Sequence, residues 1–175
     1  MTQTELTAAI VIHFDALYNL AAWLARDAAE AQVLLQMTCH QALQMIPQHL
    51  PGTTARVGLL TLLWGIYRQR HGMPADGDGP GAVRQAPSIK KPLFHTLSRA
   101  DLDTGLRQLP ETLRAALVLA DLEGCSGEEV AEVLGWSQPQ TSVVLAQARQ
   151  LLETILQARL AAGAVSPAPE EKDSL

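Results

Sequence analysis

Lysine and arginine are missing from the whole stretch between Arg114 and Arg149, which instead carries Asp121, Glu123, Glu128, Glu129 and Glu132. Cations supply most of the sequence-independent affinity of a nucleic-acid reader, so this stretch has little phosphate-neutralising charge of its own. Aromatic residues make up only 4% of the chain, and β-branched runs are scarce, which disfavours sheets. Cys39 and Cys125 stand far apart and in no CxxC pattern. That spacing indicates neither a disulfide framework nor a zinc site, and both read as small core residues in a reducing cytosol. His13, His40, His49, His71 and His95 lack paired ligand spacing, so no metal is expected. The most apolar window, Leu59 to Ile66, is too short to span a bilayer, and the polar N-terminus has no basic start or cleavage site. There is no Gly-rich phosphate loop and no convergent acid–base pair, and a helix-capping role accounts fully for Ser126. The expectation is a cytoplasmic protein that is not an enzyme, takes no cofactor, and has neither a membrane nor a small-molecule substrate as partner.

What is present is alanine and leucine. Of 175 residues, 47% are hydrophobic, enough for one or two small helical cores. The charge is uneven. Residues 1–71 balance four cations against four acids, residues 72–100 carry four cations against Asp76 and Asp78, and residues 101–160 hold four cations and nine acids. An apolar face through Ile10, Phe14, Leu17, Leu20 and Leu24 predicts a first helix from about Glu5 to Ala25. Asp27 with Glu30 reads as a capping box opening a second helix to about Met45. Pro47, Pro51 and Gly52 break the chain before Thr53 or Thr54 caps a third helix through Tyr67 to Arg70. Residues 72–97, including Lys90 and Lys91, read as a flexible Gly/Pro-rich linker. A short helix from Ser98 to Gln108 follows. Pro110 at a first helical position starts the next, through Leu122, and Gly124 stops it. Ser126 with Glu129, then Gly135, then Ser137 with Gln140 punctuate two more helices, the last to about Ala161. Residues 162–175 read as a disordered tail. The fold class is therefore all-α, with two small helical domains: a three-helix bundle over 1–71 and a helix-turn-helix over 98–161.

Two blocks of residues carry a family likeness. The first runs from Phe14-Asp15-Ala16-Leu17-Tyr18 through Asp27-Ala28-Ala29-Glu30 and Leu34-Leu35-Gln36 to Pro51-Gly52-Thr53 and Arg56. The second comprises Leu109-Pro110-Glu111, Arg114, Asp121-Leu122-Glu123-Gly124, Ser126, Glu128 through Gly135, and Ala148-Arg149. Together they resemble regions 2 and 4 of the extracytoplasmic-function (ECF) sigma factors of bacterial RNA polymerase. The resemblance implies that region 2 binds core RNA polymerase and melts the promoter −10 element, while region 4 reads the −35 element. Carried over, Leu34, Leu35 and Gln36 are the polymerase-binding residues. Arg56, Trp64, Tyr67, Arg68 and Arg70 would handle the −10 element. Gln140, Thr141, Ser142 and Arg149 would face the −35 element.

The sequence also departs from that pattern. Gln32 and Val33 stand where family members usually have Glu-Asp, Met37 replaces a glutamate, Gly58 replaces a tryptophan, and Trp64-Gly65 replaces an Arg-Asn pair. The recognition helix usually presents a threonine, a lysine, a serine and two arginines, of which only Arg149 matches among the cations. Two readings stay open. One is a sigma factor with weakened promoter DNA binding. The other is a sigma-factor mimic that binds an anti-sigma factor, or another protein, without reading DNA. In the second, Val143, Val144 and Gln147 form the partner surface, with Leu145, Ala148, Leu152 and Ile155 as the buried stripe.

Overall fold

The computed structural model describes residues 2–45, 54–73 and 99–163. Most of the expected linker, the tail from residue 164 and the Pro47–Gly52 break lie outside the described residues. Among the described residues every regular element is helical: α1 (Gln3–Ile12), α2 (Phe14–Leu24), α3 (Ala28–Gln44), α4 (Ala55–His71), α5 (Arg99–Gln108), α6 (Glu111–Leu117), α7 (Gly127–Leu134) and α8 (Gln138–Gly163). A single π-type turn, Val118–Leu122, extends α6.

Local chemistry explains most of the boundaries. Thr2 and Glu5 form a reciprocal capping box at α1. Asp27 accepts the Glu30 amide at 2.8 Å, and the Glu30 carboxylate accepts the Arg26 amide at 2.8 Å, one residue outside the expected box. Thr54, rather than Thr53, caps α4, and Gly72 closes it in the left-handed region at φ 64°. Pro110 holds an extended N-cap conformation, so α6 begins one residue later than expected. Ser126 and Glu129 make the second full capping box, and Gly135 ends α7 at φ 74°.

The expected first helix is in fact two. α1 and α2 meet at His13 with a bend of 59°. No proline or glycine marks that break; it follows from packing. The bend lets α1 lie on α3 and α4, burying Leu6 and Ile10, while α2 buries Leu17, Leu20 and Leu24. Val11 and Ile12, at the corner, are left exposed. Among the described residues the N-terminal half thus contains four helices, where three were expected. No single helix among the described residues is long and apolar enough to cross a membrane.

The two halves pack against each other. α4 lies along α7, and α2 lies against α6 and the π-type turn. Leu17, Leu60, Leu63, Trp64 and Tyr67 of the first half and Leu113, Leu117, Val130 and Leu134 of the second belong to one continuous hydrophobic core.

Candidate nucleic-acid and partner interface

α7 and α8 make the helix-turn-helix. Trp136 donates its amide to the Ala131 carbonyl at 2.9 Å through the turn at Gly135. Ser137 and Gln140 exchange side-chain-to-amide hydrogen bonds at 3.4 Å, opening α8. The side chain of Gln140 is thereby turned toward the cap. Thr141 is 1% exposed and donates its hydroxyl to the Ser137 carbonyl at 3.0 Å. Ser142 is exposed, its hydroxyl donating to Gln138 at 3.2 Å.

The partner-surface expectation needs one correction. Val144 is 4% exposed and belongs to the core, whereas Val143 is 57% exposed and Gln147 is half-buried. The buried stripe of α8 starts at Thr141 and runs through Val144, Leu145 and Ala148 to Leu156. That stripe turns both Thr141 and Val144 away from solvent, and with them the expectation that Thr141 faces base edges. Leu152 and Ile155 are only partly buried against the core. What α8 presents outward near its start is Ser142, Val143 and Ala146, followed by Arg149.

Arg149 is held within the protein. Its Nε donates to Asp121 Oδ2 at 3.1 Å and its Nη2 to Oδ1 at 2.6 Å, a fork-to-fork pair joining α8 to the π-type turn. These hydrogen bonds, donated to the Asp121 carboxylate, stabilise the charged guanidinium and push its pKa up.

In the N-terminal half, Trp64 and Tyr67 are buried, which corrects their expected availability for an unpaired base. Their rings stack 5.8 Å apart at 19°, with the Arg68 guanidinium 5.9 Å from the Trp64 ring centroid. Burial, then the neighbouring Glu111 carboxylate with its hydrogen bond, push the Tyr67 phenol well above its ordinary value. The physical reason for the burial is that α2, α3 and α7 pack around α4, while Glu111 at the start of α6 lies against Tyr67. Arg56 pairs with Glu123, and Arg70, exposed, reaches Met37 Sδ at 3.5 Å. The Leu34 and Leu35 expectation is corrected likewise, since both are core residues of α3 at helical spacing with Ala31, Thr38 and Ala42. Gln36 is exposed, and its outward neighbours are Val33 and Met37, which stand where the family pattern has acidic residues.

Several anchoring residues escaped the sequence reading. Glu123 accepts from Asn19 Nδ2 at 2.9 Å as well as from Arg56. Arg114 donates to the carbonyls of Trp23 at 2.9 Å and Leu109 at 3.1 Å, stitching α6 to the end of α2. Two clefts flank this junction. One, of about 500 Å³, is lined by Phe14, Tyr18, Arg26, Leu35 and Arg107; the other, of about 340 Å³, by Asn19, Trp23, Leu102, Leu122 and Glu123. Arg107 sits between them, its guanidinium 5.5 Å from the Trp23 ring centroid. No group of three or more His, Cys, Asp or Glu among the described residues could hold a metal ion.

This is a helical protein whose C-terminal half carries a helix-turn-helix, a unit of the class that docks on DNA. Residues 99–152 match the Sigma-70, region 4 family. Over 139 residues the chain is 30% identical to the ECF RNA polymerase sigma factor EcfG of Rhodopseudomonas palustris, covering 76% of this chain and 75% of that protein. It is 32% identical over 133 residues to the ECF RNA polymerase sigma factor SigE of Mycolicibacterium smegmatis, covering 70% of this chain but 50% of SigE, so it spans about half the length of that relative. The chain belongs to the ECF sigma factor family. Its fold matches that of the sigma factor RpoE from Bartonella quintana, solved in complex with the anti-sigma factor NepR, with a TM-score of 0.64 and 22% identity over 87% of this chain and 97% of that one. It also matches the anti-anti-sigma factor PhyR from the same organism, solved with NepR, with a TM-score of 0.58 and 16% identity over 85% of this chain and 49% of PhyR.

Proposed function

We propose that this chain acts in transcription initiation as an ECF-type sigma factor, contacting core RNA polymerase and promoter DNA with weakened DNA affinity. It would work in the cytoplasm and carry out no chemistry of its own. The observation that carries this reading is the helix-turn-helix itself. Its caps, its left-handed Gly135 and its core are complete, while its outer face holds Ser142, Val143, Ala146 and one arginine. A scaffold kept whole with few cations suits a reader that depends on a larger assembly for affinity. In this reading Gln36, Val33 and Met37 meet the polymerase, and Arg68 and Arg70 lie along the DNA backbone.

A second reading, a sigma-factor mimic that occupies an anti-sigma factor, has its own support. The clefts of about 500 and 340 Å³ straddle the junction of the halves, with Phe14, Tyr18, Leu102 and Leu122 exposed along them. An apolar groove of this kind fits an amphipathic helix. Affinity purification of the tagged chain from its native cell separates the two. Recovery of core polymerase subunits is expected for the sigma factor. Recovery of a small anti-sigma protein without polymerase would replace that reading with the mimic.

A further inference from the structure

The same turn of chain, Val118 to Glu123, holds two arginines that the promoter reading relies on. Val118 and Leu119 are buried, anchoring the turn, and the Glu123 amide closes it on the Val118 carbonyl at 2.9 Å. From this anchored base Asp121 projects to the outside and grips Arg149 of α8 at 2.6 and 3.1 Å. Two residues on, Glu123 holds Arg56 of α4 through its carbonyl and through its carboxylate at 3.6 Å.

We propose that Asp121 is a built-in competitor for DNA phosphate, masking Arg149 on the recognition helix until a stronger array of anions displaces it. The inference rests on the promoter-reading function proposed above. A carboxylate that engages a guanidinium through two parallel hydrogen bonds offers the geometry that a phosphate would offer. The pair is also about half exposed on both sides. Water and salt weaken such a pair, so it can open, unlike a pair sealed in the core. Arg149 is the one cation of α8 between Gln138 and Ala158, with Glu153 one turn further along the same side, so releasing or holding it changes the charge of that face by one unit. The mask therefore acts where little else competes with it.

The test is binding of the full chain to a fluorescent random-sequence DNA duplex of about 30 base pairs, followed by anisotropy between about 50 and 200 mM salt. Asp121→Asn is expected to bind about two- to fivefold tighter than the parent, with a salt slope steeper by about 0.9, the value for one added phosphate contact. Glu128→Gln removes an exposed acid of the same half without freeing an arginine, and is expected to leave the slope unchanged. In an Arg149→Gln background, Asp121→Asn is expected to bring no gain beyond that of Glu128→Gln. An unchanged slope in Asp121→Asn, or a gain that survives without Arg149, overturns the mask while leaving the promoter reading standing. Absence of duplex binding by every variant also overturns the mask, because a freed Arg149 then adds no phosphate affinity, while the promoter reading is decided by recovery of core polymerase.

Discussion

Arg56 on α4 and Glu123 beyond the π-type turn, separated by 67 residues of sequence, join the two halves of the protein. The guanidinium donates to the Glu123 carbonyl and lies 3.6 Å from its Oε2, with 25% of the arginine side chain and 9% of the glutamate side chain exposed. Asn19 donates to the same carboxylate at 2.9 Å. A partly buried, charge-assisted contact of this kind contributes more than a surface pair. A double-mutant cycle of Arg56→Gln and Glu123→Gln, read by chemical denaturation, is expected to return a coupling energy of about 1–3 kcal/mol. A value near zero would mean that the carboxylate adds nothing to the hold of the Glu123 carbonyl on Arg56.

The adjacent valines of α8 should respond in opposite ways to the same substitution. Val144→Arg places an unpaired charge in the core and is expected to cost about 3–5 kcal/mol, or to abolish folding. Val143→Arg adds a cation to the exposed face, where stability should change by less than about 0.5 kcal/mol. It should also tighten duplex binding and steepen its salt dependence. Thermal melts and anisotropy titrations of the two variants check both halves of this prediction.

Gly65 lies inside α4, and a Cβ built there would meet no atom within 4 Å. Alanine loses less backbone entropy in a helix, so Gly65→Ala is expected to stabilise the protein by about 0.5–1 kcal/mol. The readout is a shift of the denaturation midpoint with an unchanged slope. A loss of stability would show that this position needs room for the α4 backbone to adjust.

His13 sits at the bend between α1 and α2. Burial, and secondarily the Arg56 charge, push its pKa below the ordinary histidine value of 6.5. The unfolded chain therefore takes up a proton first as pH falls. Stability tied to His13 is complete above pH 6.5 and declines as pH drops below it. His13→Gln should flatten that decline in melts between about pH 7 and 5. An identical pH profile in the variant would assign the decline to other groups.

Helix punctuation was legible in the sequence because it is local. Asp27, Thr54, Ser126 and Ser137 each accept from an amide three residues on, and Gly72, Gly124 and Gly135 take the left-handed conformation that L side chains resist. The apolar period likewise marked most of the core face of α2 and part of that of α8. The family, too, could be read from the two blocks of residues, since their order and spacing survive the loss of charge.

Tertiary packing decided the rest. The bend at His13 has no breaker residue and exists because α1 must fold back onto α3 and α4. Leu34, Leu35, Trp64, Tyr67, Thr141 and Val144 looked available in a linear reading, yet each is covered by a helix distant in sequence or by the turn of its own stripe toward the core. The arginines that seemed free for DNA found partners 28 and 67 residues away. Amino-acid spacing sets which residues share a face over a few helical turns. Which face meets which, and which charges are thereby taken, depends on how the two halves come together.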